Sequence, residues 1–347
     1  MGLFKVLLWP FTVLYNLVMK VRNYLFDIGQ KPSFKFDSII ISVGNLNVGG
    51  SGKTPMIEYL VRLLNDRFSI AILSRGYGRK TKGIRLATDQ DDAATLGDEP
   101  FQYYRKFGSQ VTVCVGEERV LAIPTILNEH PETQIILLDD AFQHRSVIPQ
   151  FSILLTEYFR PFYKDFLMPF GRLRESRSGA ARADLIIVTK CAESIQQKEM
   201  EEGIHKYAVD KPIFFSTVKY KEPVAFQTGS KIGAKVILVS GVANSASLEI
   251  FVSTHFELVK HFQFGDHHFY SVTDVIKVQS FAQANQIDSI ITTEKDMVKL
   301  ISPRLKSLVQ GKSWFYLPVE TSFIKNGAEF DKLILQSIED NLKLHDQ

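Results

Sequence analysis

A chain of 347 residues, 45% hydrophobic and 23% charged, is long enough for two domains and too apolar to be disordered. Its formal charge of +3 is close to balance and gives no reason to expect nucleic acid or another polyanionic partner. Two cysteines, Cys114 and Cys191, exclude a disulfide framework and a zinc-ligand spacing, and fit a reducing compartment.

The N-terminus is apolar: residues 6–19, between Lys5 and Lys20, carry no charge. The run is shorter than the roughly 20 apolar residues that span a bilayer, and Pro10 interrupts it. Trp9 and Tyr15 suit the water–lipid boundary, while Lys5, Lys20 and Arg22 suit anionic headgroups. Residues 1–30 are expected to form an interfacial membrane helix. The competing reading is an apolar helix that covers the core of its own domain.

After Phe36 the sequence alternates apolar runs with amphipathic segments. Ser38–Val43, Ser69–Leu73, Val111–Val115 and Ile135–Leu138 read as short strands rich in β-branched residues. Helical patterns run from Pro55 to about Asn65, over Asp98–Phe107 and over Glu118–Leu127. Strands alternating with helices predict a parallel, helix-covered sheet. Prolines 149, 161 and 169 and a basic cluster break the rhythm at about 145–180, so a linker is expected near Arg145–Phe151. The alternation resumes with Leu185–Thr189, Ile213–Ser216, Val236–Ser240, Ser289–Thr292 and Trp314–Leu317. The expected organisation is α/β: a membrane-associating helix (1–30), a P-loop nucleotide-binding and catalytic domain (31–147) and a second, smaller α/β domain (148–347). The closing helix, Gly327–Leu344, would pack on either unit.

The first strand runs into Gly44-Asn45-Leu46-Asn47-Val48-Gly49-Gly50-Ser51-Gly52-Lys53-Thr54 and then a helix. A phosphate loop needs inward-pointing backbone N–H groups, which Gly49, Gly50 and Gly52 permit, and a helix N-terminus behind the phosphates. It also needs a lysine for the outer phosphates and a hydroxyl for magnesium, roles that Lys53 and Thr54 fit. Pro55 suits the first helical turn. The first glycine of the usual G-x-x-x-x-G-K-T pattern is Asn47 here, a residue that tolerates left-handed backbone. ATP is therefore the expected ligand of residues 47–54.

Asp139 and Asp140 follow an apolar run, and carboxylates at the end of a parallel strand beside the loop can hold hydrated magnesium. A phosphate loop alone leaves kinases, GTPases and motor ATPases open. Guanine-selective proteins use an [NT]-K-x-D turn after a late strand; Thr189-Lys190-Cys191-Ala192 has the first half, but Ala192 cannot accept hydrogen bonds from guanine.

Seven blocks occur in order: NLNVGGSGKTP, LSRGYG (Leu73–Gly78), GDEP (Gly97–Pro100), LDDAFQHR (Leu138–Arg145), GRLRE (Gly171–Glu175), DHH (Asp266–His268) and TTEKD (Thr292–Asp296). Together they resemble the tetraacyldisaccharide 4'-kinase family of lipid A biosynthesis in Gram-negative bacteria. The resemblance implies an ATP-dependent kinase that phosphorylates the 4'-hydroxyl of a tetraacyl glucosamine disaccharide 1-phosphate. It also implies a peripheral or monotopic place on the cytoplasmic face of the inner membrane. A membrane-associated P-loop ATPase that uses the nucleotide as a switch is the alternative. Nothing in the sequence points to an obligate protein partner.

A sugar hydroxyl needs a general base to take its proton during phosphoryl transfer. The resemblance puts that base at Asp98, supported by His267. Glu175 is implied as a further magnesium carboxylate beside Thr54, Asp139 and Asp140. Arg75, Arg119, Gln143, His144, Arg172 and Arg174 become the residues expected to meet the phosphate or lipid headgroup. Residues 171–182 hold four arginines (172, 174, 177 and 182) against one acid, a composition suited to phosphate oxygens. TTEKD has a strand–turn–helix setting in which Glu294 or Asp296 would cap the following helix.

Overall fold

The β-branched runs become strands buried on both faces, as a helix-covered parallel sheet requires. Ile39–Asn45, Ile135–Asp139 and Leu185–Thr189 are buried throughout their length. The computed structural model describes residues 2–192, 194–310 and 313–345, without the side chains of 2–7, 313, 344 and 345. The side chain of Lys5 therefore lies outside the described residues.

Helix α1 (Gly2–Asp27) precedes β1 (Ile39–Asn45), α2 (Lys53–Leu64), β2 (Ile70–Ser74), β3 (Arg85–Leu86), α3 (Ala93–Leu96) and α4 (Asp98–Phe107). Then come β4 (Val111–Val115), α5 (Arg119–Glu129), β5 (Ile135–Asp139), β6 (Phe151–Glu157), β7 (Leu185–Thr189), α6 (Gln197–His205) and β8 (Ile213–Tyr220). A second series holds β9 (Val224–Ala225), β10 (Lys235–Ser240), α7 (Ala246–His255), β11 (Glu257–Gln263), α8 (Val272–Ala284), β12 (Ser289–Thr293), α9 (Glu294–Leu300), α10 (Lys306–Gln310) and β13 (Ser313–Leu317). The chain closes with β14 (Val319–Phe323) and α11 (Gly327–His345).

Nine strands form the larger sheet in the order β14-β8-β7-β6-β1-β5-β2-β4-β3, parallel except for its two edge strands. Five form the smaller sheet, β11-β10-β12-β13-β9, with β9 antiparallel at one edge. The expected division at 147/148 is not where the sheets part. β6, β7 and β8 continue the larger sheet, and β6 pairs directly with β1. The chain crosses to the smaller sheet between Tyr220 and Val224 and returns at Val319. The apolar run FSILLTE is a strand hidden in sequence by the prolines on either side of it.

The closing helix packs on the larger sheet. Phe330, Ile334 and Ile338 are buried with Ile39, Val43, Met56 and Leu60, each large side chain contributing roughly 1.5–3 kcal/mol. Helix α1 runs through Pro10 without ending. It buries Thr12 against the larger unit while Phe11, Leu14, Leu17, Val18 and Val21 remain exposed. No helix among the described residues is long and apolar enough to cross a membrane.

Candidate active site

β1 delivers the chain to the glycine loop, and α2 begins directly behind it at Lys53. Gly52, at the helix start, has φ 83°, a left-handed conformation that a side chain would strain. The loop is strapped from outside. Val48 N donates to Arg172 O at 2.8 Å, Arg174 N to Leu46 O at 2.7 Å, and Thr189 Oγ1 to Ser51 O at 2.9 Å. Asn47 is not in the left-handed region expected of it. Its amide instead donates to Asp165 Oδ2 at 2.9 Å, fixing the loop to the segment before Arg172. Lys53 Nζ lies 3.4 Å from Asn45 Oδ1 and 3.7 Å from Asp140 Oδ1.

Asp139 ends β5, and its Oδ2 accepts from Tyr103 Oη at 3.2 Å and Ser74 Oγ at 3.4 Å. Its Oδ1 is buried without a partner. Burial, and after it the adjoining Asp140 carboxylate, push the Asp139 pKa up to about 6. Asp140 adopts φ 52° and meets Arg174 Nη1 at 2.9 and 3.0 Å. Burial opposes its charge, but Lys53 and Arg174 outweigh that and hold its pKa below the usual carboxylate range. The Tyr103 hydroxyl is shared between Asp139 and the Thr54 hydroxyl, so two expected magnesium ligands converge on one buried phenol.

Glu175 is fully buried, and its oxygens are already engaged. Arg182 Nη2 lies 2.8 and 2.9 Å from them, Asn23 Nδ2 at 3.1 Å and Gln143 Nε2 at 3.2 Å. Its lone pairs serve this internal network and do not join the Asp139–Asp140 pair; among the described residues no three His, Cys, Asp or Glu side chains converge as a metal cage. Magnesium needs no such cage, since it usually keeps waters and takes one or two carboxylates plus phosphates. The unpartnered Asp139 Oδ1 fits that requirement.

Helix α1 reaches this network with its inner face. Arg22 Nη2 donates to Gln143 O at 2.7 Å, and Tyr15 Oη to Arg174 O at 2.6 Å. Sequence reasoning placed none of Tyr15, Arg22 and Asn23 at the site, because their partners lie far along the chain.

Arg119 begins α5 and is 1% exposed. Nη1 donates to Gly116 O at 2.7 Å, whereas Nε and Nη2 have no partner. Burial lowers its pKa to about 10 against the pull of Asp139, and Arg75 lowers it further. His144 shares this environment: burial first, then Arg119 and Arg75, press its pKa down to about 4. Arg75 and Arg172 are exposed. The result is a cluster of positive charge beside the two aspartates, with two Arg119 donors buried and unpaired.

Asp98 is the first residue of α4, 5% exposed, after Gly97 at φ 98°. A side chain at Gly97 would meet Tyr77 O at 3.0 Å. His267 arrives from the smaller unit, with Nδ1 3.3 Å from Asp98 Oδ2. Its Nε2 lies 3.1 Å from Lys295 Nζ. An ammonium has no lone pair to offer, so Nε2 must accept and Nδ1–H must face Asp98. Burial disfavours charge on Lys295, yet Glu99 at 3.1 Å and Asp266 at 3.7 Å outweigh it and raise its pKa. His268 points elsewhere, stacking on Phe264 and meeting Asp274 Oδ2 at 3.2 Å. The DHH block thus separates into one site histidine and one structural histidine.

The TTEKD block makes four different uses of its residues. Thr293 caps α9, Lys295 fixes His267, and Asp296 accepts from Gly241 N at 2.8 Å and Thr293 Oγ1 at 2.7 Å. Glu294 leaves the cap to Thr293 and joins buried Glu58 of α2 around Lys106 Nζ, at 2.9 and 2.7 Å. This tie joins the helix behind the phosphate loop to the smaller unit. Lys106 and Lys299, which lies 3.9 Å from Asp98 Oδ2, carried no local sequence signal.

The family described as Tetraacyldisaccharide-1-P 4'-kinase matches residues 4–339. The chain is 42% identical to the tetraacyldisaccharide 4'-kinase of Flavobacterium johnsoniae, over 99% of this chain and 100% of that one. Identity with the Flavobacterium psychrophilum protein of the same name is 41%, covering 98% of each. Among solved structures, LpxK from Aquifex aeolicus in complex with ATP superposes with a TM-score of 0.76 at 28% identity, covering 97% of this chain and 100% of that one.

Proposed function

The chain belongs to the tetraacyldisaccharide-1-P 4'-kinase family, and from that footing we propose how its own residues carry the reaction. It is an ATP-dependent kinase that phosphorylates the 4'-hydroxyl of a tetraacyl disaccharide 1-phosphate in lipid A biosynthesis. Residues 47–54 hold the triphosphate, with loop N–H groups and the start of α2 facing its oxygens. Lys53 balances the charge on the terminal phosphate and keeps Asp140 ionised. Thr54, Asp139 and Asp140 would hold magnesium, which supplies charge neutralisation along the phosphates when bound.

The observation that carries the mechanism is Asp98 and His267 meeting across the two units. Asp98 takes the proton of the 4'-hydroxyl while that oxygen bonds to the terminal phosphorus, and ADP departs as the bridging P–O bond breaks. His267, its Nδ1–H turned to the carboxylate by Lys295, donates to Asp98 and holds it in position as the base. Exposed Arg75 and half-buried Arg174 suit an anionic part of the acceptor, and buried Arg119 adds positive charge beside Arg75. Gln143 and His144 belong to the same cluster.

Lipid substrate and helix α1 fit one picture. The outer face of α1 (Phe11, Leu14, Leu17, Val18 and Val21) lies in the cytoplasmic leaflet of the inner membrane, and its inner face braces Glu175 and Arg174. The enzyme is then a peripheral or monotopic protein that takes its acceptor from the membrane surface. The test is transfer of phosphate from ATP to the disaccharide 1-phosphate, measured for the native chain and for Lys53→Ala. The variant should lose both ATP affinity and turnover; undiminished transfer would remove the glycine loop from the chemistry.

A further inference from the structure

ATP has two ends, and the structure gives them different surroundings. Asp139 and Asp140 lie at the end of β5, and Asp139 accepts from Tyr103 of α4, the helix that Asp98 begins. The terminal phosphate and the acceptor therefore belong on the β5 side of β1. The nucleoside must leave on the other side, over the carboxyl ends of β6 and β7.

There, one side chain crosses back to the phosphate loop. Lys190, directly after β7 and at φ 54°, gives its ammonium to the Gly50 carbonyl and to the Glu157 carboxylate at the end of β6. Its backbone neighbours are fixed as well: Thr189 Oγ1 donates to Ser51 O, and Cys191 N to Ser216 O at 3.0 Å. An anchored ammonium lays the four-carbon stem along the loop, and such stems readily cover apolar surface. The side chain remains 41% exposed, leaving that stem open to a planar ring.

We propose that the Lys190 stem is the platform for the adenine ring of ATP, and that Ala192 sets the choice of base. Guanine carries N1–H and N2–H donors that need an acceptor, and Ala192 offers none. Donors left unpaired on binding weaken it. Adenine carries no N–H donor at N1 or C2 and so asks for no acceptor at that position.

The inference rests on the kinase reading above, and steady-state kinetics of the full chain with ATP, GTP and the disaccharide 1-phosphate separate the two. Lys190→Ala should raise KM for ATP about tenfold while kcat falls less than about threefold. Ala192→Asp should raise kcat/KM for GTP relative to ATP by about tenfold or more. A shift in either variant supports the placement. An unchanged KM together with an unchanged ratio overturns it, whereas a native chain that transfers no phosphate overturns the kinase reading instead.

Discussion

His267 Nδ1 lies 3.3 Å from Asp98 Oδ2, although 169 residues separate them in the chain and they belong to different sheets. Neither unit alone holds a complete proton acceptor. Asp98→Asn keeps the shape and removes the acceptor, so turnover should fall by roughly 10²–10⁴-fold. ATP affinity should be unchanged by calorimetry. Equal turnover in the variant would take Asp98 out of the chemistry.

Lys295 offers a test of how the histidine is held. With Lys295→Met the Nε2 lone pair loses its donor, and the ring is free to present either nitrogen to Asp98. The expected result is a roughly 10-fold loss in kcat with little change in KM for ATP. A change in the pH profile of kcat should accompany it. Lys295→Arg should restore part of the rate. Loss of thermal stability without a kinetic change would reduce Lys295 to a structural role.

Asp139 makes stability depend on pH in a defined direction. Its pKa rises from 3.8 unfolded to about 6 folded, so the folded chain binds the extra proton between those values. The associated stability is fully present below pH 3.8 and is lost as pH rises through 6. The cost of ionisation above that is roughly 3 kcal/mol. In magnesium-free buffer, Asp139→Asn should therefore be the more stable protein at pH 8 and show no such advantage at pH 4, as denaturant titrations at both pH values would reveal. A constant difference would contradict the burial argument.

The Lys106 tie between Glu58 and Glu294 should also respond to cutting. Lys106→Met leaves two carboxylates buried beside each other and should destabilise the chain by about 3 kcal/mol. Adding Glu58→Gln should recover part of the loss, because burial already pushes the Glu58 pKa up. A double variant no better than the single one would show that the charges do not interact.

The outer face of α1 can be altered without touching its inner contacts. Leu14→Glu with Leu17→Glu should move the protein from membrane pellet to supernatant. Transfer to detergent-dispersed acceptor should persist, because Tyr15, Arg22 and Asn23 remain. A double variant that stays in the pellet would assign membrane contact to another surface.

The strand, glycine loop and helix start around Lys53 were legible because they are contiguous in sequence. The buried strand runs were mostly as plain, including β10, β12 and β13 of the smaller sheet, whereas the less buried β3, β9, β11 and β14 gave no apolar run to read. The division at 147/148 failed because FSILLTE sits between prolines, and because β14 and α11 return to the first sheet after a long excursion. Asp98 and His267 were named through resemblance; the residues alone allowed a helix-start aspartate and a loop histidine. Glu175 was assigned to magnesium, yet Arg182, Asn23 and Gln143 engage its oxygens. Such partnerships join distant segments and leave no mark in local spacing.

The return of β14 and α11 to the larger sheet orders the birth of the molecule. Every strand of the smaller sheet has left the ribosome before the edge strand and covering helix of the larger one. The half that begins first is thus completed last, and its apolar face waits uncovered until α11 has been made. Chains truncated just short of Val319 and released should carry a finished smaller unit beside a larger sheet still missing its final cover.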